Sequence, residues 1–173
     1  GVEANRLDIG TTSGRAINSA VYLESNGSLG LGDIESNGEI HVKNVAGDIS
    51  VVGDVVSPSM LTLQADGAVR GIGGTWENGV WTPEAGQLTA ALIAVRAGDN
   101  IGSVDHVLHT NTGEIAAHGG LGDVYIVNDN GGNELVVGTV DGISGVQSDG
   151  DIGIKHDGDL RLKTQIRDTD VGS

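Results

Sequence analysis

The chain has no cysteine among its 173 residues, which excludes disulfide bonds, thiol catalysis and cysteine-ligated zinc. It also has no phenylalanine, and two tryptophans and two tyrosines are its only aromatic residues. The core must therefore be built from Val, Ile, Leu and Ala. Globular enzymes of this size use aromatic side chains to fill irregular gaps, whereas stacked layers of similar shape can be filled with aliphatic side chains alone. The composition favours a repetitive architecture.

Basic residues are also few. Nine Lys and Arg stand against 24 Asp and Glu, which leaves a formal charge of −15 at pH 7. This charge repels nucleic acid and anionic lipid, and no apolar run is long enough to cross a membrane, so we expect neither a nucleic-acid partner nor membrane insertion. No signal peptide is visible. Because the chain begins at Gly1, we expect residues 1–173 to be a single segment of a longer protein that continues beyond both ends.

An internal repeat runs through the chain. The stretch ESNGSL at Glu24–Leu29 recurs as ESNGEI at Glu35–Ile40, and a looser pattern of Gly, a polar or small residue and an apolar-x-apolar pair recurs every 8 to 11 residues, or about 20 for two copies. Each copy alternates over only three to five residues and is followed by Asn-Gly, Asp-Gly or a similar turn. This rhythm predicts short strands in a solenoid.

We therefore predict an all-β fold, a right-handed parallel β-helix of roughly 20-residue coils, with roughly eight coils in a rod of about 40 Å. The alternative is an antiparallel β-sandwich, because Asn-Gly and Asp-Gly also mark two-residue hairpins. The predicted inward side chains are Val21, Leu23, Leu29, Leu31, Ile40, Val42, Ile49, Val51, Leu61, Leu63, Ile93, Val95, Ile101, Val124, Ile126, Leu135, Val137, Ile152, Ile154, Leu160 and Leu162.

Two stretches interrupt the rhythm. Residues 71–87 hold both Trp76 and Trp81 and show no strand pattern, so they predict a loop that projects from the coils. Leu88–Arg96 is rich in alanine and is compatible with a short helix, but a strand is the preferred interpretation.

The central motif LTAALIAVRAGDNIGSVDHVLHT, followed by GEIAAHGGLGDVYIVND, resembles the repeats of filamentous-haemagglutinin-like exoproteins and related giant bacterial surface proteins. The matching residues are Ile93, Val95 and Ala97, then Asn100-Ile101-Gly102, then Val107-Leu108, then Gly122-Asp123-Val124-Tyr125-Ile126. The resemblance implies a right-handed parallel β-helix that is secreted or displayed at the bacterial cell surface as a stalk or adhesive shaft. It implies no catalytic residue. Apart from calcium, considered next, we expect no cofactor.

Metal binding is the first chemistry to consider, because aspartate dominates the turns. Asp149 and Asp151, with Asp157 and Asp159 eight positions later, form the candidate calcium site. Calcium needs six to eight converging oxygen ligands, whereas a turn aspartate commonly caps its own backbone, so capping is the competing interpretation. A zinc site from His109 and His118 on neighbouring segments is a weaker alternative to solvated histidines.

The leading functional prediction is a non-enzymatic structural segment, a stalk or adhesive shaft of a large secreted or cell-surface protein, whose partners are neighbouring repeats of the same chain. The alternative is a module that binds carbohydrate or another surface through Trp76 and Trp81, since aromatic rings stack on sugars. A polysaccharide-active enzyme is less favoured, because no arrangement of carboxylates stands out from the 24 that composition supplies.

Overall fold

The computed structural model describes residues 11–16, 20–71, 74–77, 80–83 and 86–169. These residues form strands and turns. The strands are β1 (Thr11–Ala16), β2 (Val21–Ser25), β3 (Leu29–Ser36), β4 (Ile40–Asn44), β5 (Ile49–Val51), β6 (Val55–Val56), β7 (Met60–Ala65), β8 (Val69–Gly71), β9 (Gly74–Glu77), β10 (Val80–Pro83), β11 (Gln87–Thr89), β12 (Leu92–Ala97), β13 (Leu108–Asn111), β14 (Glu114–His118), β15 (Val124–Asn128), β16 (Leu135–Val137), β17 (Thr139–Val140), β18 (Ile143–Ser144), β19 (Val146–Ser148), β20 (Ile152–His156), β21 (Leu160–Leu162) and β22 (Ile166–Asp168). No helix in the described ranges has the length and apolar character that spanning a membrane requires.

Two nine-stranded parallel sheets build the molecule. Sheet I follows the path β2-β4-β7-β12-β14-β16-β21, with β19 and β22 extending the last two levels, and sheet II contains β1, β3, β5, β6, β8, β11, β13, β15 and β20. The chain passes from one sheet to the other and back in every coil, which makes a parallel β-helix of about six turns. The parallel pairing within both sheets confirms the predicted β-helix and does not support the antiparallel sandwich.

The coils differ in length, and several are longer than the repeat predicted, which is why there are fewer of them than expected. In sheet I, Val21 pairs with Ile40 and Ile40 pairs with Leu61, so the first coils are close to the expected length. Leu61 next pairs with Ile93, and this coil is much longer because it contains the strand pair β9 and β10. Insertions thus lengthen a coil without changing the register of the strands that flank them.

Sheet II is divided along part of its length, between β3 and β15, so the coils in that part have three sides. The first half of β3 pairs with β5 and the second half with β6, and the ladders that continue from them meet again at β15. One ladder runs through β8 and an isolated bridge at Ile101, and the other runs through β11 and β13. The third side, formed by β6, β11 and β13, has no counterpart in the sequence prediction, because its strands are only two to four residues long.

The core is aliphatic, as composition required. Most of the predicted inward side chains are fully buried, and each such burial stabilises the fold by roughly 1.5–3 kcal/mol. Residues buried in addition to the prediction include Ile34, Val55, Val69, Leu88, Leu108, Ile115 and Val146.

The predicted inward positions are less covered at the two ends of the stack. Val21, Leu23, Ile152 and Ile154 are only partly buried. Leu160 and Leu162 lie in register with the buried Leu135 and Val137, as predicted, but they are 46% and 54% exposed. They lie on β21, the last strand on the path of sheet I, where no further described strand packs beyond them.

The two interruptions of the repeat also form strands. Leu88–Arg96 belongs to β11 and β12, which confirms the strand interpretation over the helix. Within 71–87 the structure differs from the expected loop without strands, since β9 and β10 form an antiparallel pair that stands apart from both large sheets.

A second hairpin, β17–β18, interrupts sheet I between β16 and β19. Its two-residue turn is Asp141-Gly142, with φ of 48° and 76°, the left-handed pair that a type I′ turn requires. Val140 and Ile143 are buried against Ala94 and Ala116 on the outer face of sheet I. The small alanine side chains leave room for the hairpin to lie flat on that face.

Candidate functional site

Turn side chains link each coil to the next at the corner that leads into sheet II. Equivalent positions of successive coils hold Ser28, Asp48, Ala68, Asn100, Asp123 and Asp151. Where the residue at this position is polar and another coil follows, its side chain accepts a hydrogen bond from the backbone N–H of the equivalent residue in the next coil. Ala68 has no polar side chain and interrupts the column. Asp48 Oδ1 accepts from Ala68 at 2.9 Å, Asn100 Oδ1 from Asp123 at 2.7 Å and Asp123 Oδ1 from Asp151 at 2.9 Å. The corner is therefore a column of backbone caps.

A shorter column of the same kind lies between the two ladders of sheet II. Asp33 Oδ1 accepts the backbone N–H of Asp54 at 3.0 Å, and Asp54 Oδ1 accepts that of Gln87 at 3.2 Å. Bonds from a carboxylate to a backbone donor are stronger than those between neutral groups. Several of the turn aspartates that make the chain so acidic therefore hold coils together.

The candidate calcium residues lie at opposite ends of one strand. Asp149 and Asp151 precede β20, and Asp157 and Asp159 follow it, so five strand residues of about 3.3 Å each separate the two pairs. Asp149 Oδ1 accepts a hydrogen bond from the hydroxyl of Thr169. Within the described ranges no group of three or more His, Cys, Asp or Glu is arranged to hold a metal ion. The carboxylate of Asp149 thus bonds a side-chain hydroxyl of a neighbouring segment, and calcium binding stays a prediction.

The two candidate zinc ligands lie on different sheets. His109 is on β13 in sheet II and His118 is on β14 in sheet I. Partial burial lowers the pKa of His109, because removal from water disfavours the charged imidazolium. The structure therefore gives these two histidines separate environments.

The tryptophans of the predicted binding loop lie on the β9–β10 pair. The register places the Cα of Trp81 opposite that of Trp76, with Val80 opposite Glu77 and Thr82 opposite Thr75. The side chains of these strands lie outside the part of the chain that the structure describes. What the backbone establishes is that the two tryptophans are direct cross-strand partners.

A site that sequence reasoning missed lies on the outer face of sheet I. Its members are in-register partners on successive strands, and we refer to them as the basic ladder: Lys43, Gln64, Arg96, His118, Gln147 and Arg167. Each follows an inward-facing residue, as Arg96 follows Val95, and so points outward. In the sequence, each of the first four members directly follows the second inward residue of its strand. This pattern does not by itself show that the members share one column, because their alignment depends on the lengths of the coils between them.

A groove of about 380 Å³ runs along the first four members of the basic ladder. On the side of the corner after sheet I its lining includes Asp66, Gly98 and Gly120. A Cβ at Gly98 would overlap the carbonyl oxygen of Asp66, and a Cβ at Gly120 would overlap that of Gly98. The absence of side chains here lets successive turns approach closely and keeps the groove open.

The β17–β18 hairpin borders the basic ladder on its other side. It covers the neighbouring outward column through Ala94 and Ala116, and its Asp141 carboxylate accepts a hydrogen bond from the Thr62 hydroxyl at 2.8 Å. The amide of Gln147 donates to the carbonyl of Ser144 in the hairpin at 3.0 Å. The basic ladder is thus open to solvent. The column covered by the hairpin lies on one side of it, and the glycine-rich corner lies on the other.

Comparisons with protein families, with curated proteins and with solved structures found no match for this chain. The resemblance to filamentous-haemagglutinin-like proteins therefore stays a prediction.

Proposed function

We propose that this chain is a non-enzymatic structural segment that serves as a rigid shaft in a large secreted or cell-surface bacterial repeat protein. The observation that supports this most strongly is the continuity of sheet I, in which the path from β2 to β21 keeps its inward residues in register through seven levels. Backbone hydrogen bonds between parallel strands run from coil to coil, so this register resists bending and extension along the stack.

The side-chain caps add to that resistance. Each carboxylate or amide cap at the corners joins two coils that are distant in sequence, as Asp48 joins Ala68 and Asn100 joins Asp123. A bond of this kind contributes roughly 1 kcal/mol. Repeated at several levels, the caps oppose fraying of one coil from the next.

The rigidity is testable by distance measurement, because the chain has no native cysteine to compete with introduced labels. Glu24→Cys and Arg167→Cys place spin labels at the two ends of one outward column, six levels or about 29 Å apart before the label linkers are added. A shaft predicts one narrow distance distribution by pulsed electron spin resonance. A broad or bimodal distribution in the folded protein would refute the proposal.

The mobility of the label at each site is measured separately, on the Glu24→Cys and Arg167→Cys single variants, by continuous-wave electron spin resonance. If the end-to-end distribution is no broader than these label mobilities account for, the coils between the two sites move as one body.

Incubation with acidic polysaccharides and a reducing-end assay tests the enzymatic alternative. Release of reducing ends would exclude a purely structural role.

A second candidate function is carbohydrate or surface binding at the β9–β10 pair. The register of Trp81 with Trp76 supports it, because direct cross-strand partners in an antiparallel pair lie close enough to act on one ligand. A glycan array that compares the protein with its Trp76→Ala, Trp81→Ala variant tests this function. Binding by the parent and not by the variant supports it, and binding by neither rejects it.

A further inference from the structure

The basic ladder concentrates positive charge on a protein of formal charge −15. Three of the nine Lys and Arg residues of the chain lie in this one column, which begins on β2 with one carboxylate, that of Glu24. Arg70, Arg161 and Lys163, elsewhere on the surface, form ion pairs with Asp48, Glu134 and Glu114. The column therefore stands out from an acidic surface on which several other cations are neutralised.

The cations of the ladder are largely free to bind a ligand. Arg96 is exposed and has no hydrogen bond or ion pair with any residue in the described ranges, and the same holds for Arg167. Lys43 is 53% exposed, and its nearest carboxylate is that of Glu24 at 4.0 Å. A pair at this distance and exposure contributes little, so Lys43 can exchange Glu24 for another anion.

The spacing of the ladder indicates the class of ligand. Successive members are one strand apart, about 4.8 Å, which is comparable to the length of one sugar in an extended polysaccharide. The order Lys43, Gln64, Arg96 alternates a cation with an amide. A guanidinium or ammonium group recognises a carboxylate, whereas an amide donates to and accepts from hydroxyl groups.

The rest of the groove disfavours a polymer with a charge on every unit. Asp66 lines the corner side and would repel an anion there, although it can accept a hydrogen bond from a hydroxyl. Nucleic acid carries one phosphate per nucleotide and is repelled by the net charge of the protein, and its single-stranded form is usually held by aromatic stacking. No member of the basic ladder is a Phe, Tyr or Trp.

We propose that the basic ladder binds an extended polysaccharide in which uronate sugars alternate with neutral sugars. The uronates lie on Lys43 and Arg96, and the intervening sugar lies on Gln64. The groove beside these residues receives the sugar rings, and Asp66 accepts a hydroxyl of a neutral sugar. The surface is separate from the tryptophan-bearing β9–β10 pair, so the inference does not depend on that candidate site.

Titration calorimetry with a hyaluronan decasaccharide, which alternates uronate with a neutral amino sugar, tests the proposal. Lys43→Gln and Arg96→Gln should each raise the Kd by about tenfold, since each removes one charge-assisted contact. The matched control is Lys155→Gln, which removes an exposed cation from β20 on sheet II and reaches the same net charge. The control should change the Kd by less than about twofold.

Three further probes of similar length define the ligand class: neutral dextran, polygalacturonate with a charge on every sugar, and oligo-dT. Tighter binding of hyaluronan than of all three supports the proposal. Absence of hyaluronan binding, equal weakening by Lys155→Gln, or binding of dextran, polygalacturonate or oligo-dT at least as tight as that of hyaluronan would overturn it. Thermal unfolding of each variant shows that it is folded, and the Trp76→Ala, Trp81→Ala variant should bind hyaluronan like the parent.

Discussion

Replacing Asn128 with alanine should destabilise the fold more than any exposed substitution in the same turn. Asn128 is 2% exposed and lies where β15 ends, at the corner between sheet II and sheet I. Its Oδ1 accepts from the backbone N–H of Thr112 at 3.0 Å and from the Thr110 hydroxyl at 2.9 Å, and its Nδ2 donates to the carbonyl of Thr112 at 3.2 Å. One side chain thus satisfies polar groups of the preceding coil.

The size of the loss in stability depends on which of these groups has another hydrogen-bond partner once the Asn128 side chain is removed. The Thr110 hydroxyl is also within 3.4 Å of the carbonyl of Val127, and the Thr112 carbonyl also accepts from Asn130 Nδ2 at 2.9 Å. Of these groups, the Thr112 N–H alone is left without a partner among the described residues, which costs about 1–3 kcal/mol, and the small cavity adds about 1 kcal/mol. We expect Asn128→Ala to lower the free energy of unfolding by about 2–4 kcal/mol.

Urea unfolding followed by circular dichroism measures this change, with Asn133→Ala as the control. Asn133 is exposed, and its amide donates to the carbonyl of the nearby Asn130 at 2.6 Å, so its loss should cost less than about 1 kcal/mol. A drop below about 1 kcal/mol for Asn128→Ala, or equal drops for both variants, would refute the assignment of Asn128 as the principal cap of this corner.

Three other predictions follow from the fold. Burial lowers the pKa of His109, so the unfolded chain takes up a proton more readily than the folded protein does. Stability is therefore lost as the pH falls through and below the ordinary histidine pKa. His109→Gln should show a smaller fall in Tm between pH 7.5 and 5 than the parent, and equal falls would contradict this. Gly98→Ala should lower stability by about 1–3 kcal/mol because its Cβ would overlap a backbone oxygen, whereas Gly113→Ala, whose Cβ has no atom nearer than 3.8 Å, should be nearly neutral in a melting experiment. If the turn aspartates act only as caps, a chelator should leave the Tm unchanged, and a chelator-sensitive Tm that calcium restores would show bound calcium instead.

The repeat pattern was sufficient to predict the strands that carry a pair of inward residues, and most of the core. A short strand with period-two alternation can bury only one face. A chain of such strands without aromatic residues has few ways to bury those faces other than stacking the strands in successive coils. The inward positions on sheet I, such as Ile40, Leu61 and Ile93, follow from this directly. The exposure of Leu160 does not, because burial at the end of a stack depends on whether another strand lies beyond it.

The repeat pattern did not predict the hairpins or the third side of the coil. Asp141-Gly142 and Asn26-Gly27 are similar dipeptides, yet only the former joins two antiparallel strands, because Val140 and Ile143 find an apolar surface over Ala94 and Ala116. That surface is formed by residues that are distant from the turn in sequence. Local turn chemistry permits a hairpin, and distant packing selects it.

The candidate sites divide in the same way. The amino-acid sequence by itself determined that this chain stacks aliphatic coils joined by glycine, asparagine and aspartate turns, since those properties depend on alternation and turn preference within a few residues. Tertiary structure alone decided which turn aspartates cap a neighbouring coil and which outward side chains form the basic ladder. Lys43, Gln64 and Arg96 are far apart and unevenly spaced in the sequence, and they share one column only because the backbone register aligns coils of unequal length.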